Sequence, residues 1–238
     1  MLGALLMSCR DEAASEEIQS ELPGDKSYFV SATALHELSL EALKAFTINI
    51  GQHELTSKLH YGVTVYKLIY KTSYLGDNIE ASGLLFVPDS LKHEAPLLSL
   101  QHGTTFLKSE APSVSSQFTG MEFFASAGYI TLMPDFIGYG ESDEIFHPYY
   151  DSHHSALTVI DMVKSAEEFL EKEAIPFSQK IFLAGYSEGG YVTLAAAKEI
   201  EQNASHKLTI TAVAAGAGGY DLEEMLRSVT AESHYSYP

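Results

Sequence analysis

The sequence predicts an α/β fold, a mostly parallel sheet with helices on both faces, and three observations lead to it. Short apolar runs typical of buried strands alternate with helical segments from residue 96 onward. One such run, at 180–183, passes through a glycine-flanked turn directly into an alanine-rich helical segment at 191–200. Two alternating, β-branched runs at 63–70 and 79–88 come earlier and predict an antiparallel hairpin at a sheet edge.

The remaining elements follow from periodicity and from turn residues. Further buried strands are predicted at three short apolar runs, 96–101, 129–134 and 208–216. Helices are predicted at 39–46, 121–127 and 155–173. The last of these carries apolar residues along one face: Leu157, Ile160, Val163, Ala166 and Leu170. This alternation predicts parallel strand pairing, with helices packed on both sides of the sheet.

Composition and charge limit the class of protein. The chain has 238 residues, of which 45% are hydrophobic, and its net charge is −18 at pH 7. This length and this hydrophobic content predict one folded domain with a full core. The negative charge argues against nucleic acid or an anionic membrane as a partner of the folded surface. No apolar run reaches the roughly eighteen residues that a membrane-spanning helix needs.

The first residues resemble an export signal with a lipid anchor. Residues 1–9 are apolar and end in Leu6-Met7-Ser8-Cys9, which is similar to a bacterial lipobox, although the basic start of a secretory signal is missing. We therefore predict a leader and acidic tether at 1–27, lipidation of Cys9, and a folded domain at 28–238. The protein is then exported, to the cell envelope or beyond, and touches a membrane only through this anchor. The alternative is a chance apolar N-terminus.

The most informative stretch joins the strand at 180–183 to the following helix, and it reads Gly185-Tyr186-Ser187-Glu188-Gly189. A strand, a sharp turn and a helix around this pattern form a nucleophile elbow, in which a strained backbone lifts the serine hydroxyl above the sheet. Glycine is needed on both sides because a Cβ there would collide with neighbouring backbone. We predict that Ser187 is a catalytic nucleophile. The alternative is a glycine-rich turn with an incidental serine.

An activated serine also needs hydrogen-bond donors for the oxyanion that forms on the substrate. The backbone N–H of Glu188, directly after the nucleophile, is one predicted donor, and its carboxylate is expected to face solvent. The loop after the strand at 96–101 should supply the other, from the N–H of Thr104 with Thr105 as second choice. His102 in the same loop is expected to shape it by hydrogen bonding and not to act as a base.

Other candidate residues are expected to have structural roles. Asp135 is expected to hold the loop that follows it through an Asx-type turn. His153 and His154 have no third ligand at a suitable spacing, so we predict neither a metal site nor a cofactor. Four phenylalanines are assigned to ordinary core packing, with an acyl pocket as the alternative: Phe106, Phe118, Phe123 and Phe124.

Four motifs, taken in chain order, resemble the α/β-hydrolase fold. They are His-Gly-Thr-Thr at 102–105, Pro-Asp-x-x-Gly-x-Gly at 134–140, the elbow at 185–190, and Gly-Tyr-Asp-Leu at 219–222. Together they look most like the secretory lipase family of bacteria and fungi, over roughly residues 60–225. The resemblance implies a serine esterase or lipase that cleaves small-molecule or lipid esters through an acyl-enzyme without a cofactor. It carries over Ser187 as nucleophile, with Glu188 and Thr104 as oxyanion donors.

In this family the triad acid and histidine follow the nucleophile on later strands. The chain ends soon after the strand at 208–216, so we expect the last strands, the acid and the histidine beyond Pro238. Asp221 and His234 occur in the right order, but they stand too close together in the chain to follow separate parallel strands. The 238-residue chain alone is therefore expected to hydrolyse esters poorly.

Two other function classes stay open on the same fold. One is a non-catalytic binding lipoprotein, and the other is a serine peptidase or acyltransferase, because a fold does not fix a chemistry. The intact elbow favours an enzyme, since a strained turn has no reason to persist in a protein that only binds.

Overall fold

A computed structural model of the chain describes residues 27–115 and 117–231. Within these residues the strands are β1 (Phe29–Leu38), β2 (Val63–Tyr74), β3 (Asp77–Pro88), β4 (Ala95–Gln101), β5 (Ile130–Pro134), β6 (Phe177–Tyr186) and β7 (Ile210–Gly216). The helices are α1 (Leu40–Asn49), α2 (His53–Thr56), α3 (Met121–Ser126), α4 (Ser152–Lys172), α5 (Glu188–Gln202) and α6 (Leu222–Ala231). The strands form one mixed sheet in the order β1-β2-β3-β5-β4-β6-β7, in which β4 to β7 are parallel and the pairings among β1, β2, β3 and β5 are antiparallel.

The predicted hairpin of β2 and β3 is present, but it does not form the edge of the sheet. β1 pairs along the outer side of β2, so the edge prediction is wrong. The sequence does not indicate β1, because its residues lack a regular apolar alternation and most of its second half is exposed. A distant residue fixes its start: the carboxylate of Glu168 on α4 accepts the N–H groups of Tyr28 and Phe29, each at 2.9 Å.

Helices cover both faces of the sheet, as the sequence predicts. Successive side chains of a strand point to opposite sides, so the sheet has an apolar face on each side. In β3, Leu85 belongs to the cluster that α4 and α5 cover, and its neighbour Phe86 belongs to the cluster of α1 and α3. Both side chains are fully buried. The core is therefore two apolar layers with the sheet between them, and buried residues of β4 and β6 belong to the layer that α4 and α5 cover.

The region after α5 is more exposed than the centre of the fold. Among the described residues β7 pairs only with β6, and Val213 in β7 is exposed. α6 was not predicted, and it leaves several apolar side chains exposed: Leu222, Met225, Leu226 and Val229. Asp221 caps this helix, because its Oδ1 accepts the N–H of Glu224 at 2.8 Å.

Two predictions fall on residues that the structure does not describe. Cys9, with residues 1–26 of the leader and tether, lies outside the described residues, and so does His234. Lipidation and export therefore stay predictions. Over residues 27–115 and 117–231, none of the helices has both the length and the apolar character to span a bilayer.

Asp161 on α4 should lower the stability of the fold as the pH rises. The residue is 4% exposed, and its carboxylate accepts a hydrogen bond from Thr72 Oγ1 at 2.8 Å. Burial raises the pKa of this carboxyl from 3.8 to about 7, against the opposing effects of Thr72 and Lys164. Between these two values the folded chain holds a proton that the unfolded chain has released. The free energy of unfolding therefore falls over this range and levels off above it.

Asp161→Asn should remove this part of the pH dependence. The quantity to compare is the free energy of unfolding of Asp161→Asn minus that of the wild type. We expect this difference to increase by about 2 kcal/mol from about pH 5 to about pH 8. Urea unfolding at both pH values measures it, with Glu80→Gln, an exposed carboxylate on β3, as the control. Burial also raises the pKa of Glu167 to about 7. Glu167 is present in both proteins, so its contribution cancels in the difference between them. A difference that does not change with pH would contradict the assignment.

Candidate active site

Ser187 lies between the last residue of β6 and the first residue of α5. Its backbone has φ 59° and ψ −126°, a conformation that non-glycine residues seldom adopt. The N–H of Ser187 donates to the carbonyl oxygen of Gly216 at 2.9 Å, which ties the turn to the end of β7. This is the strained strand–turn–helix geometry that the elbow pattern predicts.

The two flanking glycines are required by close backbone contacts, as expected. A Cβ on Gly185 would lie 2.2 Å from the carbonyl oxygen of Gly189. A Cβ on Gly189 would lie 2.0 Å from the carbonyl oxygen of Gln101, at the end of β4. The start of α5 therefore packs directly against the end of β4. As a result the loop that follows β4 runs beside the nucleophile, and a Cβ on Gly103 would be 3.6 Å from Ser187 Cβ.

Ser187 lies in the wall of a pocket of about 620 Å³. Thr104 and Thr105 form part of its wall, together with the loop after β7. Most of the other large side chains in the wall are aromatic: Phe106, Tyr139, Phe146, His147, Tyr149 and Tyr150. Thr104 Oγ1 is also 3.0 Å from the hydroxyl of Tyr149. The predicted nucleophile and the loop of the predicted donor Thr104 therefore share one pocket.

Glu188 is the first residue of α5, so its N–H is one of those that have no acceptor within the helix. The positive end of the helix dipole lies at the same place, and both features favour a developing negative charge beside Ser187. The backbone geometry thus agrees with an oxyanion donor at Glu188. The roles of Glu188 and Thr104 as donors stay predictions.

The side chain of Glu188 is placed differently from the prediction. Its carboxylate does not face solvent: the residue is 2% exposed, and Oε1 lies 2.7 Å from Nε2 of His147. The second ring nitrogen of His147 lies 2.7 Å from the carbonyl oxygen of Ile137. The prediction is wrong because the loop between β5 and α4 folds over the start of α5 and covers the carboxylate.

The sequence motifs do not indicate His147. A signal was available, since an ionisable residue at a tightly packed elbow needs a hydrogen-bonding partner once it is buried. The loop after β5 passes over the elbow in this fold, and His147 is the histidine within it. That requirement points to His147 only once the burial of Glu188 is known, and the sequence does not show that burial.

Two of the other candidate histidines, His102 and His154, have structural partners. His102 Nδ1 lies 2.7 Å from the carbonyl oxygen of Gly103, and its ring stacks on Phe136, so it shapes its loop as expected. His154 uses both ring nitrogens, with Asp151 Oδ2 at 2.8 Å and the N–H of Leu75 at 3.2 Å. Among the described residues, none of the hydrogen bonds of a histidine ring reaches Ser187.

Asp135 holds its surroundings through long-range contacts, not through an Asx-type turn. It is fully buried, and it accepts the N–H of Ser113 at 2.7 Å and the hydroxyl of Ser82 at 2.6 Å. The hydroxyl of Ser82 in turn accepts the N–H of Glu141 at 2.8 Å. Asp135 therefore ties β3 and the loop after β4 to the end of β5, and the predicted Asx turn is wrong.

The four phenylalanines differ in their burial and in their contacts. Phe106 is 87% exposed and lies at the pocket, so it is not a core residue. Phe118 and Phe123 pack against each other and against Phe46 of α1. Phe124 on α3 is exposed. Phe118 is itself 40% exposed, so only Phe123, which packs against the apolar cluster of α1 and α3, matches the prediction of core packing.

Comparisons with solved structures identify the fold. A protein of Legionella pneumophila, provisionally assigned as a hydrolase, is 32% identical, with a TM-score of 0.75 over 85% of this chain and 55% of its own. The rice cell wall degrading esterase LipA of Xanthomonas oryzae is 28% identical, with a TM-score of 0.72 over 83% of this chain and 51% of that one. The chain belongs to the α/β-hydrolase superfamily. Lipase A of Candida antarctica shares the fold at 13% identity and a TM-score of 0.53, over 78% of this chain and 41% of that one.

The comparisons confirm the predicted superfamily and its likeness to lipases and esterases, and they include a match to one family model. The family model of the prolyl oligopeptidases matches residues 115–232, which include the elbow. Curated protein sequences yield no match. The chain spans about half the length of the Legionella and Xanthomonas proteins.

Proposed function

We propose that this α/β hydrolase is a serine hydrolase that cleaves carboxylic esters through an acyl-enzyme on Ser187. The observation that carries the proposal is the strained backbone of Ser187, at the start of a helix and at the wall of an open pocket. A strained residue of this kind persists where a function requires it. The similarity to the Xanthomonas esterase at 28% identity supports the choice of an ester as substrate.

The reaction would proceed in two steps of acyl transfer. Ser187 Oγ attacks the ester carbonyl carbon, its proton passes to a base, and the N–H groups of Glu188 and Thr104 stabilise the oxyanion. The bond to the alkoxy oxygen then breaks, and the alcohol leaves with the proton. Water next attacks the acyl-enzyme and releases the carboxylic acid. None of the described histidines is assigned as the base, because none of their ring hydrogen bonds reaches Ser187.

A serine peptidase is the second candidate, because the prolyl oligopeptidase model matches the half of the chain that contains the elbow. Ester and peptide substrates separate the two candidates. We expect the protein expressed from its full reading frame to hydrolyse short-chain p-nitrophenyl esters with a higher kcat/KM than peptide p-nitroanilides. The opposite order would favour the peptidase. A folded protein that turns over neither substrate would favour a binding protein.

We also propose that the protein is exported and held at a membrane through a lipid on Cys9. The support is the lipobox-like run that ends at Cys9 and the acidic residues that follow it. Mass spectrometry of protein produced in a bacterial host should find a diacylglyceryl group on Cys9. Cys9→Ala, the matched control, should lose that mass and its membrane fraction. Unmodified Cys9 in the wild type would refute the proposal.

A further inference from the structure

Glu188 carries a buried carboxylate on the residue whose N–H is the proposed oxyanion donor. Its side chain is 3% exposed and that of His147 is 17% exposed. The two are joined by the 2.7 Å contact between Oε1 and Nε2, and they are 41 residues apart in the chain. The contact links the first turn of α5 to the loop between β5 and α4.

The partners of His147 define how many protons the pair holds. The carbonyl oxygen of Ile137 can only accept, so Nδ1 of His147 carries a hydrogen. The contact of Nε2 with Glu188 also requires a hydrogen between the two atoms, because a carboxylate oxygen and a bare ring nitrogen would both present lone pairs. Whichever atom holds this shared proton, the pair as a whole is neutral.

Neutrality matters at this place because the carboxylate belongs to the oxyanion site. A second negative charge beside the oxyanion would oppose the charge that develops on the substrate. The Glu188 carboxylate lies within electrostatic reach of the pocket wall. Burial raises the pKa of the Tyr139 hydroxyl, and the negative charge of Glu188 raises it further. Without its partner the carboxylate would act on an oxyanion in the same pocket.

His147 is itself held firmly from the loop side. Its ring lies parallel to that of Phe136, with a centroid distance of 6.2 Å, and 5.0 Å from that of Tyr139. Its backbone passes so close to Gly138 that a Cβ there would be 2.6 Å from His147 Cα. The imidazole therefore offers Glu188 a fixed partner.

We infer that His147 is a positioning residue for the oxyanion site: it holds Glu188 by its side chain, so that the backbone N–H stays aligned, and it neutralises the carboxylate. This inference rests on the proposed function, because it assigns His147 a role in the same site. It adds a residue to the site that sequence motifs do not indicate.

Two substitutions of similar size separate the bond to Glu188 from the bond to Ile137. His147→Gln can place its amide nitrogen near the position of Nε2 and keep the bond to Glu188, whereas His147→Asn reaches only the position of Nδ1. For ester hydrolysis by protein from the full reading frame, we expect His147→Asn to lower kcat about 10²-fold, the size of a lost oxyanion donor. KM should stay within about threefold, because the lost interaction acts only in the transition state. His147→Gln should retain most of kcat.

A second histidine–glutamate pair, at the other end of α5, provides the control. His206 Nε2 lies 2.9 Å from Glu199 Oε1, at the end of α5 away from Ser187, and His206 is also buried. His206→Asn should leave kcat unchanged. Adding Glu188→Gln to His147→Asn should recover part of the lost kcat, because it removes the unpaired charge. Equal losses in the Asn and Gln variants, an equal loss in His206→Asn, or no recovery in the double variant would each overturn the inference.

Failure of the proposed function would look different. In that case the wild type shows no turnover that depends on Ser187, and the inference is decided by the amide ¹H–¹⁵N resonance of Glu188. His147→Asn should shift this resonance, and His147→Gln should leave it near the wild-type position. A resonance that is the same in all three proteins would overturn the inference.

Discussion

Replacing Ser187 with alanine should abolish ester hydrolysis by the protein expressed from its full reading frame. The variant removes the oxygen that forms the acyl-enzyme, and loss of the nucleophile in a complete triad lowers kcat by about 10⁴- to 10⁶-fold. The fold should survive, because the elbow is shaped by its glycines and by the backbone hydrogen bond to Gly216. Hydrolysis of p-nitrophenyl butyrate, followed beside circular dichroism of both proteins, measures the effect.

A fluorophosphonate probe gives an independent reading of the same prediction. The probe should label the wild type at Ser187 and leave Ser187→Ala unlabelled. Ser57→Ala, at an exposed serine that only bonds the carbonyl oxygen of Glu54, should be labelled like the wild type. Labelling that persists in Ser187→Ala, or a modified peptide that contains another serine, would contradict the assignment.

The elbow could be predicted from the sequence because its determinants are local. The strained residue, the two glycines, the preceding strand and the following helix all lie within about two dozen residues of chain. The steric reason for Gly189 also follows from the motif, although the atoms it meets belong to Gln101 on another strand. β1 carries no comparable signal. Pairing with β2 and the bond of Glu168 to the start of β1 place that strand, and neither shows in its own residues.

The surroundings of Glu188 could not be predicted in the same way. The elbow pattern defines where its backbone lies, but the burial of its side chain depends on how a loop some forty residues earlier in the chain folds over α5. A helix start at the surface would have left the carboxylate in water. The phenylalanines show the same dependence on surroundings. Phe106 is exposed at the pocket, whereas Phe123, in a neighbouring segment, packs with Phe46. Residue type does not determine burial where the loops decide it.

Replacing Gly189 with alanine should damage both the fold and the site. The new methyl group would lie 2.0 Å from the carbonyl oxygen of Gln101 and 2.5 Å from that of His102. Both neighbours are backbone atoms, so they cannot turn away as a flexible side chain would. Either α5 or the end of β4 has to move, and forced overpacking of this kind lowers the free energy of unfolding by about 1–3 kcal/mol. The same movement separates Ser187 from the loop of Thr104. A misplacement of about 1 Å in an active site can lower the rate about 10²-fold.

Gly103→Ala is the matched control for stability, because it lies in the same contact region but has room for a methyl group. Its nearest neighbours would be Ser187 Cβ and the carbonyl oxygen of Tyr186, each at an ordinary contact distance of 3.6 Å. We expect urea unfolding of Gly103→Ala to match the wild type or to show a small gain of about 0.4–1 kcal/mol, since alanine reduces the freedom of the unfolded chain. Gly189→Ala should unfold at clearly lower urea concentration, and the part that remains folded should react slowly with a fluorophosphonate. If Gly189→Ala were as stable and as reactive as the wild type, the close contact between α5 and β4 would not exist in solution.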